Sequence, residues 1–120
     1  MGDFRKLDVW RRSQALAVSV YRTTDQFPRG ERFGLTSQMR RAALSVSSNL
    51  AEGCGRRSDP ELRRYIRISL GSLSELECQA RIAHELGLFG KLGISRLLEE
   101  IQGIRGMLEQ LHKSLRAPQL

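Results

Sequence analysis

The sequence predicts an all-α protein, an antiparallel up-down-up-down four-helix bundle. Three observations carry that expectation. Four stretches place apolar residues at three- and four-residue spacing, the period of a helix with one buried face. Gly and Pro gather at three places between those stretches: Phe27-Pro28-Arg29-Gly30, Gly53-Cys54-Gly55 and Gly87 to Gly93. No stretch alternates with period two, so a sheet has no candidate strands.

The first helix is expected over 8–26, with Asp8 as N-cap. Trp10, Ser13, Ala17, Val20, Tyr21 and Thr24 form its stripe, widened by Val9 and Leu16. The second, over 36–52, carries Met39, Ala42, Ala43, Val46, Asn49 and Leu50. Small residues dominate it, which implies one close helix contact, and Gly53 and Gly55 supply its stop. The third, over 59–87, has the clearest start: Ser58 and Glu61 are spaced as a capping box, and Pro60 sits in the first turn. Leu62, Ile66, Ser69, Leu73, Leu76, Ala80, Ala83 and Gly87 then keep the rhythm. The fourth, over 94–115, reads Ile94, Leu97, Leu98, Ile101, Ile104, Leu108, Leu111 and Leu115, with Pro118 beyond it. Short connections between amphipathic helices favour antiparallel neighbours around a common seam.

A chain of 120 residues suits one domain, here residues 1–120. No apolar run is long enough to span a membrane. The first ten residues carry Asp3, Arg5, Lys6 and Asp8 and no apolar stretch, unlike a secretion signal, so the expected location is cytoplasmic. Cys54 and Cys78 form neither a Cys-x-x-Cys pair nor a disulfide framework and read as two small, half-buried residues.

Charge says more. Twenty basic side chains stand against thirteen acidic ones, a net +7. Residues 1–58 account for +6 of that balance. Seventeen of the twenty cations are arginine, whose planar guanidinium grips phosphate or carboxylate with two parallel donors. Arg40 and Arg41 lie early in the second helix. Arg56 and Arg57 precede the third, and Arg63, Arg64 and Arg67 cover one side of it. The stretch from Arg56 to Arg67 thus holds five arginines in twelve residues, beside a helix N-terminus that itself favours anions. Tyr65 is the only aromatic among them, so phosphate contacts are expected rather than base stacking.

At 100° per residue, Ile68, Ile82 and Leu86 fall roughly opposite the Leu62–Leu73 stripe, and Leu44 points away from Met39 and Val46. Apolar residues aligned off the seam mark a partner surface, and self-association is the expectation.

Catalytic and metal sites find little support. His84 and His112 are isolated, and the single Glu109-x-x-His112 lacks the second copy that a di-iron bundle requires. Gly87, Gly90 and Gly93 follow no strand and precede no Gly-Lys-Ser/Thr, so they read as a connection between helices. Glu75 and Glu77 flank Leu76, and Glu77 is expected at the core's edge, met by an arginine or the Asn49 amide. Ser45, Ser47 and Ser48 have no His base in their half of the chain. The expectation is a non-enzymatic protein without metal or cofactor.

Several strings resemble a known family. They are Leu7-Asp8-Val9-Trp10, Phe27-Pro28, the run from Glu31 to Ala43, Ser45-Val46-x-x-Asn49-x-Ala51-Glu52-Gly53, and Gly71-Ser72-Leu73-x-Glu75-Leu76-Glu77. Together they resemble the bacterial four-helix bundle family named after proteins encoded in intervening sequences of ribosomal RNA genes. The resemblance implies an up-down bundle able to assemble as a homopentamer. A related branch, the accessory variability determinants of diversity-generating retroelements, forms a basic barrel that binds RNA and a reverse transcriptase. RNA is therefore an expected partner, and a reverse transcriptase one if the chain belongs to that branch. The alternative is a structural or adaptor homo-oligomer that binds a protein partner.

Overall fold

Helical period and stop signals translate into four α-helices: α1 Asp8–Thr24, α2 Leu35–Cys54, α3 Asp59–Glu85 and α4 Lys91–Ser114. This computed structural model describes residues 2–118; residue 1 and residues 119–120 of the expected domain span lie outside the described residues. Among the described residues there is no strand. Two short 3-10 turns, Phe4–Lys6 and Arg29–Glu31, were not foreseen from periodicity.

The apolar stripes close into one core. Leu16 and Val20 of α1, Met39, Val46 and Leu50 of α2, Leu62, Ile66, Leu73 and Leu76 of α3, and Ile101, Ile104 and Leu108 of α4 are each at most 2 % exposed. Burying such side chains stabilises a fold by ~1.5–3 kcal/mol each, which is why the stripes and not local propensity decide the architecture. Buried hydroxyls on the stripe turn back on their own helix: Ser13 donates to the Val9 carbonyl at 2.8 Å and Thr24 to that of Val20 at 2.7 Å. Trp10 is half-buried, edge-on to Phe4 at 4.8 Å, whereas Tyr21 is exposed at the rim.

Contacts between consecutive helices run in opposite order. On α2 and α3, Val46 meets Ser69, Ser45 meets Ser72, and Gly53 lies against Leu62 and Tyr65. On α3 and α4, Arg63 reaches His112 while Glu77 reaches Arg105. Near the start of α2, Arg40 bonds Thr24 at the end of α1, and Gly2, before α1, donates to Cys54 at the end of α2. Neighbours are therefore antiparallel.

The small residues of α2 do set up a close contact, with α3. Ser69 Oγ donates to the Val46 carbonyl at 2.9 Å, a side chain bonding the backbone of the neighbouring helix. A Cβ added at Gly53 would sit 2.7 Å from Tyr65 Cβ, so only glycine fits there. Asn49 donates to the Ser45 carbonyl and hydroxyl at 2.9 Å, and that hydroxyl meets Ser72 at 2.8 Å. The amide thus bonds within its own helix and does not reach Glu77. Arg105 and Arg81 hold Glu77 instead, at 2.8 and 3.1 Å, and keep its carboxyl below the ordinary range, Arg105 contributing most.

Helix ends differ from expectation in instructive ways. The residue before α1 that acts as its cap is Leu7, and Asp8 is the first helical residue, its carboxylate placed in the first turn. Ser58 accepts from the Glu61 N–H at 3.3 Å, as the capping box foresees, while the Glu61 carboxylate turns to Arg64. α3 stops at Glu85 because Gly87, expected on its stripe, adopts φ +76°. Gly87 and Leu88 N–H then bond the His84 and Ala83 carbonyls at 2.9 and 3.0 Å, the paired closure that a left-handed glycine allows. α4 begins at Lys91, earlier than 94, since Gly93 is carried within its first turn.

Candidate nucleic-acid interface

The α2–α3 turn gathers the basic residues. Arg56 donates to Glu52 at 2.7 Å and to the Tyr65 hydroxyl at 2.8 Å, and its guanidinium lies 5.2 Å from the Tyr65 ring centroid. Arg64 stacks on the same ring at 4.6 Å and bonds Glu61 at 3.0 Å. Tyr65 thus has two guanidiniums within cation–π range of its ring. The Tyr65 hydrogen bond first, and Glu52 after it, hold Arg56 more firmly charged than usual. Arg57 is exposed and makes no hydrogen bond or ion pair among the described residues. Arg67 sits 3.7 Å from Glu109 and is also exposed.

Arg63 behaves differently. It is half-buried and donates to the carbonyls of His112 at 2.8 Å and Leu115 at 3.2 Å, closing the last turn of α4. A cation at that position offsets the negative end of the helix dipole as well as two open carbonyls. His112 is buried beneath this cap; burial first, then the charges of Arg67 and Arg63, push its pKa below the ordinary 6.5. His84 remains exposed.

Arg40 and Arg41 stand apart from the other five. About 20 Å of helix runs from Arg41 to Cys54 at ~1.5 Å per residue, so Arg40 and Arg41 lie at the opposite end of α2 from Arg56 and Arg57. Arg40 is tied down: it donates to Thr24 Oγ1 at 2.9 Å and the Tyr21 carbonyl at 3.2 Å, and covers the Tyr21 ring at 4.6 Å. Arg41 is exposed and, among the described residues, bonds only Gln38, at 2.8 Å. Arg29 and Arg32, which the sequence reading did not single out, join Arg40 around a cleft at the α1–α2 turn. Their signal was available: they precede a helix N-terminus, as Arg56 and Arg57 do.

The four off-seam apolar residues are all exposed in the single chain: Leu44 43 %, Ile68 39 %, Ile82 48 % and Leu86 60 %. Leu44 lies on α2 next to Ser45, and Ile68 on α3 one turn before Ser72, so both stand near the level of the Ser45–Ser72 bond. Cys54 is buried, which raises its thiol pKa, and Cys78 is exposed; both are free. Among the described residues no helix is long and apolar enough to cross a membrane.

Comparison with known proteins agrees with this fold. Residues 5–110 match the family described as 23S rRNA-intervening sequence protein. No curated protein matches the sequence. A crystal structure from Bacteroides thetaiotaomicron, a protein of unknown function from the S23 ribosomal protein family, superposes with a TM-score of 0.79 at 18 % identity. The overlap covers 88 % of this chain and 98 % of that one.

Proposed function

The chain belongs to the 23S rRNA-intervening sequence protein family, and from that premise we propose that it is a non-enzymatic, cytoplasmic homo-oligomer that binds RNA through arginines at the α2–α3 turn. The observation that carries the reading is the gathering of exposed arginines at that turn. Arg57 has no acidic partner among the described residues, and the partners of Arg56, Arg64 and Arg67 are surface carboxylates. Exposed ion pairs of this kind contribute only ~0–1 kcal/mol, so a phosphate can displace them at little cost. Arg41 extends the surface along α2. Arg63 and Arg40 support it by holding α4 and α1 in place, Arg40 through its Nε and Nη2.

Self-association through Leu44, Ile68, Ile82 and Leu86 multiplies the basic turn by the number of subunits, five by the family resemblance, and raises avidity without any new contact. If the chain sits in the retroelement branch, a reverse transcriptase is the accompanying protein partner. A second reading, an adaptor oligomer whose exposed apolar stripe docks another protein, draws on the same four residues.

Binding of structured RNAs to the Arg56→Ala/Arg57→Ala double variant separates the two. Phosphate contacts position without reading bases, so the double variant should weaken binding about equally for every sequence, and its salt dependence should be shallower by ~1 unit of log–log slope. Wild-type affinity in the double variant would leave the adaptor reading standing.

A further inference from the structure

The opposite end of α2 carries a cleft of its own, lined by arginines. The α1–α2 turn encloses a cleft of about 460 Å³ whose wall includes Arg29, Arg32, Arg40 and Thr36. Phe27, buried and packed edge-on against Phe89 at 5.3 Å, forms part of its base. Three arginines line this one cleft, Arg32 with its guanidinium 5.6 Å from the ring centroid of exposed Phe33, and their like charges repel unless something negative lies among them. The only carboxylate in that wall is Asp25, which is 84 % exposed at its side chain and stands 3.7 Å from Arg40. Glu31 accepts from the Leu35 N–H at 3.4 Å and is not part of the wall.

Two features distinguish this cleft from a solvated basic face. Arg40 is fixed, its Nε on Thr24 at 2.9 Å and its plane over Tyr21, so its charge is presented without further loss of side-chain freedom. Thr36 is 8 % exposed, yet its hydroxyl bonds no group among the described residues while lining the cleft. That hydroxyl is open to the cleft, where it can donate to a ligand oxygen. Thr36 also lies in the first turn of α2, a 20-residue helix whose dipole adds partial positive charge there.

The geometry points to a binding pocket for a terminal phosphate group, a phosphate monoester dianion. Three cations against one carboxylate leave an excess of two, which a dianion neutralises and a carboxylate or an internal phosphodiester, each with one negative charge, does not. Guanidinium forks and a hydroxyl donor match the tetrahedral oxygens of such a group. The pocket stands on its own geometry and does not rest on RNA binding at the α2–α3 turn.

Titration calorimetry with inorganic phosphate on the full chain tests the pocket directly. A parallel arm compares a short RNA carrying a 5′-phosphate with the same RNA carrying a 5′-hydroxyl. Phosphate is expected to bind; Arg32→Ala and Thr36→Val should each weaken it, the arginine change by roughly tenfold, and Asp25→Asn should tighten it by removing the competing carboxylate. All three side chains lie at the surface or the cleft wall, and unchanged helical dichroism would verify that each variant is folded. A gain from the 5′-phosphate that vanishes in Arg32→Ala identifies the ligand as an RNA end. Phosphate binding without that gain identifies a small phosphate ester. The pocket is refuted if neither phosphate nor the 5′-phosphate is bound, or if Arg32→Ala and Thr36→Val both bind as the wild type does. RNA binding that is lost only on changing Arg56 and Arg57, with phosphate still held, leaves this proposal intact.

Discussion

Gly53→Ala should lower stability even though alanine is the better helix former. Gly53 lies in the last turn of α2, and its backbone is helical, so alanine gains ~1 kcal/mol of propensity there. Against that, the new Cβ would stand 2.7 Å from Tyr65 Cβ and 2.9 Å from Leu62 Cδ1. Carbon atoms rest at ~3.5–4.0 Å, so about 1 Å of separation is needed. Leu62 can rotate away, but Tyr65 Cβ is fixed to the α3 backbone and can move only with the helix. Overpacking of this kind costs ~1–3 kcal/mol, and the anchored contact places Gly53 toward the upper end. The net expectation is a loss of ~1–2 kcal/mol. With an unfolding entropy of ~2.1 cal/mol/K per residue over 120 residues, that is a Tm lower by ~4–8 °C. Gly106→Ala on α4 provides the control: its Cβ would meet nothing within 4 Å, so it should raise Tm by ~2–4 °C. Scanning calorimetry of both variants decides the matter. Equal stabilisation by the two changes would refute the close α2–α3 approach.

Arg63→Ala should cost ~1–2 kcal/mol, because it opens the last carbonyls of α4, while Arg57→Ala should stay within ~0.5 kcal/mol; urea unfolding of the two measures the difference. His112 has a folded pKa below 6.5, so the unfolded chain takes up its proton first and stability falls as pH drops through 6.5 toward the folded value. Unfolding from pH 8 to 5.5 should show that decline, and His112→Gln should flatten it; Glu100, whose pKa burial raises, acts with the opposite sign and is common to both proteins. Ile82→Asp should leave a folded monomer of 13.6 kDa in sedimentation where the wild type is larger. An intact oligomer in that variant would remove Ile82 from the interface.

The four helices were legible because buried residues recur on one face with a fixed period, from Leu16 and Val20 to Ile101, Ile104 and Leu108. Their ends were less so. Gly87 fits the α3 stripe by spacing, and only its left-handed backbone reveals that it ends the helix. Gly93 reads as punctuation, yet Gly90 already supplies the cap and the helix runs through. The arginines were legible as a charge excess but not as an arrangement. Arg40 and Arg41 are close in type to Arg56 and Arg57, and only the length of α2 shows that they belong to a different end. That Arg63 caps α4 could not be read from α3 alone, since its acceptors lie far along the chain at His112 and Leu115. The cleft at Arg29, Arg32 and Arg40 depends in the same way on how the α1–α2 turn folds back on α2.

The most direct test of the central claim is the affinity of the wild-type protein for a structured RNA measured across salt concentration. Arginines that neutralise phosphates release counterions, so log affinity should fall linearly with log salt, at ~0.7 per contact for single strands. Three or more contacts at the α2–α3 turn give an expected slope steeper than about −2. Affinity that is independent of salt, or no binding near physiological ionic strength, would contradict RNA recognition by this surface.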